Sequence, residues 1–168
     1  MLSFSRWVVS ALLILNVLVG VPLLAVLGYS FVAEPKFLET LGRLNPGRDL
    51  DLLLLSARWI LAIVAPVMLF AHILLRRLQA ILQTVRDGEP FAPANAERLR
   101  LVAWCLLAIQ FCDLGFGFAA TTFDTVAGER TSGWSPGITG WVAVLLVFVL
   151  ARVFREGSRL RDEAELTI

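Results

Sequence analysis

Four long apolar runs, separated by short polar segments, dominate the hydrophobic pattern of this chain. They cover residues 7–33, 52–75, 101–120 and 138–154. A run of about 20 apolar residues can cross about 30 Å of hydrocarbon as a helix. The fourth run is the shortest, and Arg152 must extend its charge towards the end of that span. The pattern predicts four membrane-spanning helices, with Pro22 and Pro66 as tolerated kinks inside the first two.

The first run lies close to the N-terminus, where it could be mistaken for a secretory signal. It continues well beyond a signal core of about 7–15 residues and shows no clear small-x-small cleavage site. We interpret it as a retained first span. With 58% hydrophobic and 17% charged residues, the 168-residue chain is too apolar for an ordinary soluble domain. We expect one membrane domain over residues 1–168.

The basic residues are divided unevenly between the two predicted sides of the membrane. Ten share a side with both termini: Arg6, Arg76, Arg77, Arg86, Arg98, Arg100, Arg152, Arg155, Arg159 and Arg161. Four lie on the other side: Lys36, Arg43, Arg48 and Arg130. Because basic loops stay cytoplasmic, this division places both termini inside. The predicted fold is an all-α, integral membrane four-helix bundle with cytoplasmic helical extensions. The two external loops, residues 34–51 and 121–137, are short and polar.

The cytoplasmic connector, residues 76–100, combines an amphipathic stripe with strong turn signals. The apolar positions of the stripe are Leu78, Ile81, Leu82 and Val85. This spacing predicts that the second helix continues beyond the membrane. Gly88 is placed to end that helix, and Pro93 can open the next one. The connector is therefore predicted to be two helix ends around a sharp turn.

The connector and the tail, residues 155–168, offer two interpretations. The first is simple packing of helix ends beneath the membrane, with a solvated charged tail. The second is a docking surface for a soluble partner, or an interfacial strip on the inner leaflet. The candidate docking residues are Arg86, Phe91, Asn95, Arg98, Arg100, Arg159 and Arg161.

Asp113 and Arg58 are charged residues inside predicted spans. Asp113 is twelve residues, or about 18 Å, from the inner end of the third run. Arg58 is six residues, or about 9 Å, from the outer end of the second run. In about 30 Å of hydrocarbon the two residues lie at similar depth, so they can form a buried ion pair. A proton or ion path through Asp113 and a misplaced span are the alternatives. The same arithmetic puts Asn16 and Gln110 near the midplane, where they could hydrogen-bond across helices.

No motif for catalysis, metal binding or phosphate binding is present. There is no His-Glu-x-x-His, Cys-x-x-Cys or glycine-rich phosphate loop, and His72 is the single histidine. Net charge is +1, which gives no basic excess for direct nucleic-acid binding. We therefore expect no enzyme activity, no cofactor and no metal.

The connector and tail resemble a known family. The matching residues are Gly88, Pro90, Phe91, Asn95, Arg98, Leu99, Arg100, Gly157, Leu160, Glu163, Leu166, Thr167 and Ile168. This pattern resembles the bacterial four-span membrane proteins catalogued as domain of unknown function 2975. The resemblance implies four spans, a location in the bacterial cytoplasmic (inner) membrane, no catalytic residues and often a neighbouring gene for a small helix-turn-helix regulator. Ala92 departs from it, because such proteins often have a capping serine or threonine there.

Three functions are compatible with these features. The first is a non-enzymatic regulatory membrane protein that binds or sequesters a soluble cytoplasmic partner, such as a small helix-turn-helix transcription factor. The second is a small oligomeric transporter or channel that uses Asp113 and Arg58. The third is an immunity-type protein that shields another complex. The lipid bilayer is a partner in each case, and a homo-oligomer is compatible with all three. Few polar residues lie in the spans, which favours the first.

Overall fold

The structure, a computed structural model, describes residues 2–128 and 133–165. Within these ranges it describes the side chains of all residues except 2–4, 162, 164 and 165. Arg130, Leu166, Thr167 and Ile168 lie outside the described residues.

Five α-helices make up the described fold. They are α1 (Leu2–Val32), α2 (Glu34–Leu44), α3 (Leu50–Arg86), α4 (Pro93–Ala127) and α5 (Ile138–Glu165). Four of them, α1, α3, α4 and α5, are long and apolar enough to cross a membrane. The predicted all-α fold with four spanning helices is confirmed, and Pro22 and Pro66 lie inside helices as expected.

The spanning helices expose most of their apolar side chains. In the most apolar window of each span, only 11–22% of the residues are buried inside the protein. Leu18 and Leu145, for example, are 67% and 65% exposed. Water would penalise such a surface heavily, whereas lipid chains are as apolar as the side chains themselves. These properties are those of a multi-pass membrane protein.

The segment between α1 and α3 was wrongly predicted to be a loop, because residues 34–44 form α2. Pro35 occupies the first turn, where its missing N–H costs nothing, and Glu34 and Arg43 lie at the helix ends that suit their charges. Leu41 is buried. Asp49 then caps α3, since its Oδ1 accepts hydrogen bonds from two N–H groups of the first turn, each at 3.1 Å. The second predicted external loop is also shorter than expected, since α4 continues to Ala127.

The chain forms two compact units. The terminal unit comprises Met1–Asn16, Leu69–Gln110 and Gly137–Ile168, and the middle unit comprises Val17–Met68 and Phe111–Pro136. In the terminal unit, α5 buries Val144, Ala151 and Ser158, one residue in every seven. This spacing keeps one face of α5 directed at its neighbours. Trp104 and Phe148 pack edge to face, with ring centres 5.4 Å apart.

In the middle unit, close contacts form where glycine leaves room. Gly20 of α1 lies against Met68 of α3, and Gly117 of α4 lies against the indole of Trp134. A β-carbon at either glycine would collide with these side chains. Small residues therefore allow this close packing, as is typical of membrane helices.

Candidate functional site

The turn between α3 and α4 is a sharply defined helix stop and restart. Gly88 has φ +86°, a left-handed conformation that glycine adopts without a steric penalty. The N–H of Gly88 donates to the carbonyl of Val85 at 3.3 Å, and that of Glu89 to Thr84 at 2.9 Å. This is the Schellman arrangement that satisfies the last carbonyls of a helix. Pro93 begins α4. The predicted turn in the connector is confirmed.

A buried polar network holds the two helix ends together. Asn95 is completely buried, and its Nδ2 donates to Thr84 Oγ1 at 2.8 Å and to the Pro90 carbonyl at 3.0 Å. Arg98 donates to Asn95 Oδ1 at 2.9 Å and to the Ala80 carbonyl at 3.3 Å. The network joins α3, the turn and α4. It stabilises the start of α4, where Ala92 supplies no side-chain cap.

This network corrects part of the predicted docking surface. Asn95 was wrongly assigned to docking, because its side chain has no exposed surface. Arg98 is half-buried, and its hydrogen bonds to Asn95 and the Ala80 carbonyl are internal. Thr84 was not among the predicted residues, because its position opposite Asn95 depends on the turn that brings residues eleven apart into contact.

The remaining candidate docking residues are exposed. We call these five residues the docking face: Arg86, Phe91, Arg100, Arg159 and Arg161. Arg100 pairs with Glu97 at 2.8 Å, and Arg159 pairs with Glu156 at 3.1 Å and Glu163 at 3.2 Å. These pairs are more than half exposed, so each adds little stability. They leave the arginines on the surface.

Phe91 links the turn to α5. Its ring centre lies 5.4 Å from that of Phe154, and the ring packs against Gly157. One side of Phe91 nevertheless stays open, with 43% of the residue exposed. Leu160 follows Gly157 by one helical turn, so it lies on the same side of α5, and it is 55% exposed. Two apolar side chains are therefore presented beyond the end of the apolar run.

Arg58 does not pair with Asp113, which corrects the predicted ion pair. The Arg58 guanidinium donates to Glu34 Oε2 at 2.6 Å and also to the backbone carbonyl and hydroxyl of Ser30. Its central carbon lies 4.1 Å from the ring centre of Phe31. The prediction estimated depth along each helix but could not determine which face each side chain occupies. In the structure the C-terminal end of α1 and the first residue of α2 surround Arg58.

Asp113 has a different partner. The indole N–H of Trp134 donates to Asp113 Oδ1 at 3.4 Å, and Asp113 is half-buried. Trp134 lies in the segment between α4 and α5 and packs over Gly117. This hydrogen bond gives the carboxylate a structural role in the middle unit.

Asn16 and Gln110 are both half-buried members of the terminal unit. The Gln110 amide packs against Gly140 of α5. A hydrogen bond between Asn16 and Gln110 stays a prediction.

The middle unit contains a cavity of about 610 Å³ between α3 and α4. Among the described residues that line it, none is charged, and three are aromatic: Trp59, Phe111 and Phe118. Asp113 is not part of that lining. In the described part of the chain, no group of three or more His, Cys, Asp or Glu residues is placed to hold a metal ion.

Comparison with protein families agrees with the resemblance noted from the connector and tail. Comparison with curated proteins gives no match, and comparison with solved structures gives none either. The family described as Protein of unknown function (DUF2975) has a model that matches residues 5–168, so the chain belongs to that family.

Proposed function

We propose that this multi-pass membrane protein is a non-enzymatic regulator that binds a small soluble helix-turn-helix protein through its docking face together with the exposed Leu160. The proposal places it in the bacterial inner membrane with both termini cytoplasmic, as the ten-to-four division of basic residues favours. The partner would be held at the membrane, away from DNA.

One observation supports this proposal most strongly: α3, α4 and α5 extend beyond their apolar runs. We call these extensions, residues 76–100 and 155–165, the platform. α3 extends to Arg86, α4 starts at Pro93 and α5 extends to Glu165. The Asn95 network fixes the angle between α3 and α4, and the Phe91 contacts hold α5 against the turn. A surface already ordered before binding loses little conformational entropy when a partner docks.

The chemistry of the platform also suits a protein partner. Phe91 and Leu160 expose apolar surface outside the spans, and Arg159 and Arg161 flank Leu160 along α5. Exposed apolar groups with a polar rim mark interaction sites, and aromatic and arginine side chains often supply the binding energy.

Transport is a weaker explanation of the geometry. Arg58 and Asp113, the charged residues that a transport path would use, each have a structural partner. The described cavity in the middle unit has an apolar lining, which offers no favourable site for an ion.

The experiment compares two charge insertions at exposed leucines. Leu160→Asp lies on the platform, and the matched control Leu44→Asp lies at the end of α2, where Leu44 is 73% exposed. Full-length tagged protein is purified from native membranes, and co-purifying proteins are quantified by mass spectrometry. We expect a helix-turn-helix protein near 1:1 with wild type and control, and at least tenfold less with Leu160→Asp. Equal recovery with all three proteins, or no such protein with wild type, would refute the proposal.

A further inference from the structure

A basic groove lies between the start of α1 and α3 in the terminal unit. It encloses about 580 Å³. Its polar lining consists of Arg6, His72, Arg76, Arg77, Gln79 and Gln83. His72, Arg76, Gln79 and Gln83 follow one another at four, three and four residues, so they form one stripe along α3.

The positive charge of this groove is not balanced by the described residues that line it. None of the described residues that line it is acidic. Among the ion pairs between described residues, none includes Arg6, Arg76 or Arg77, whereas Arg58, Arg100 and Arg159 all have carboxylate partners. Three guanidinium groups that share one cavity repel each other, and an anion in the groove would relieve that repulsion.

The groove lies where the apolar runs end. Arg6 immediately precedes the run that starts at Trp7, and Arg76 and Arg77 immediately follow the run that ends at Leu75. The phosphate groups of phospholipids lie at this boundary between hydrocarbon and water. Trp7 is 72% exposed beside Arg6, as expected for an aromatic residue at the head-group level.

The groove is also held in shape before any ligand binds. Gln79 Nε2 donates to Ser10 Oγ at 3.0 Å, which fastens α3 to α1 within the groove. Guanidinium groups bind phosphate oxygens through paired N–H donors. Basic pockets between membrane helices commonly bind anionic head groups.

We propose that this groove binds the phosphodiester head group of an anionic phospholipid from the surrounding leaflet. Arg6, Arg76 and Arg77 supply the positive charge, and Gln79 and Gln83 supply neutral donors. The acyl chains lie along the exposed apolar surface of the spans. This site is independent of the docking face, so either proposal can fail while the other stands.

The test is lipid binding to the full-length protein in neutral detergent, followed by native mass spectrometry. Phosphatidylglycerol and phosphatidylcholine are titrated separately against wild type and against Arg76→Gln/Arg77→Gln. The matched control is Lys36→Gln/Arg43→Gln, which removes the same charge from the exposed surface of α2. A third variant, Arg76→Lys/Arg77→Lys, keeps the charge.

Wild type should prefer phosphatidylglycerol by at least tenfold. The glutamine pair should weaken that binding about 25-fold, at about 1 kcal/mol for each basic residue near an anionic surface. The control should change it by less than about threefold, and the lysine pair should recover most of it. Circular dichroism checks that each variant is folded; if the glutamine pair is not, the single substitutions Arg76→Gln and Arg77→Gln replace it.

Two results would overturn the proposal. Equal phosphatidylglycerol binding by wild type and the glutamine variants would exclude the groove. Displacement of the lipid by millimolar inorganic phosphate would show that a soluble phosphate compound, rather than a lipid, is the natural source of the anion.

Discussion

Replacement of Asn95 by alanine tests whether the buried network stabilises the corner between α3 and α4. The side chain has no exposed surface, and it contacts Thr84, the Pro90 carbonyl and Arg98. Asn95→Ala removes all of these hydrogen bonds and leaves the Pro90 carbonyl and part of the Arg98 guanidinium without this partner.

The expected magnitude follows from the number and kind of bonds. A neutral hydrogen bond contributes about 0.5–1.5 kcal/mol net, and one to a charged group contributes about 1.5–3 kcal/mol. Two neutral bonds and one from Arg98 are lost, although Arg98 keeps its bond to the Ala80 carbonyl. We expect Asn95→Ala to lower the free energy of unfolding by about 2–4 kcal/mol, allowing for partial solvation of the exposed groups.

A second variant, Thr84→Val, tests the same network, and Thr125→Val is its matched control. Thr84 Oγ1 accepts a hydrogen bond from buried Asn95, whereas the exposed Thr125 hydroxyl donates to the Thr121 carbonyl of its own helix, at 2.7 Å. We expect a loss of about 1–2 kcal/mol for Thr84→Val and less than about 0.5 kcal/mol for Thr125→Val. The Thr84→Val/Asn95→Ala double variant should lose about 1 kcal/mol less than the sum, because both single changes break the same contact.

The assay is reversible unfolding of purified protein in mixed detergent micelles, with helical circular dichroism followed as the denaturing detergent increases. The free energy is taken from the midpoint and slope of each transition. A loss below about 0.5 kcal/mol for Asn95→Ala, or strict additivity with Thr84→Val, would refute the reasoning about the network.

Three further predictions concern the Arg58 ion pair, the turn at Gly88 and the orientation in the membrane. Arg58→Leu should lower the unfolding free energy by about 1.5–3 kcal/mol, and its effect should couple to that of Glu34→Gln in a double-mutant cycle; additive losses would contradict their pairing. Gly88→Ala should cost about 1–2 kcal/mol because of the positive φ at that residue, whereas Gly28→Ala, in an open helical position, should be neutral or stabilising in the same unfolding assay. Asn45→Cys, in a background without the native cysteines, should react with an impermeant maleimide added to intact cells, and protection from it would contradict the orientation.

The four spanning helices could be predicted because they depend on composition along the chain. Hydrocarbon offers no hydrogen-bond partners, so a backbone there must form its hydrogen bonds internally. A sufficiently long apolar run therefore forms a helix. The stop at Gly88 and the restart at Pro93 were predictable for a similarly local reason, since each depends on the backbone preference of one residue. The helix α2 was missed although Pro35 and the charges at its ends are local signals of the same kind.

Only the tertiary structure determined which polar side chains pair with each other. Rise per residue estimates the depth of Arg58 and Asp113, but contact also depends on rotation about each helix axis and on which neighbour lies opposite. Arg58 therefore pairs with Glu34, a residue placed in a loop by the sequence pattern. Asn95 looked like a surface residue because the connector is polar. Its burial arises only when the turn folds α4 back against Thr84, so sequence alone determined the spans, and packing determined which polar groups became internal.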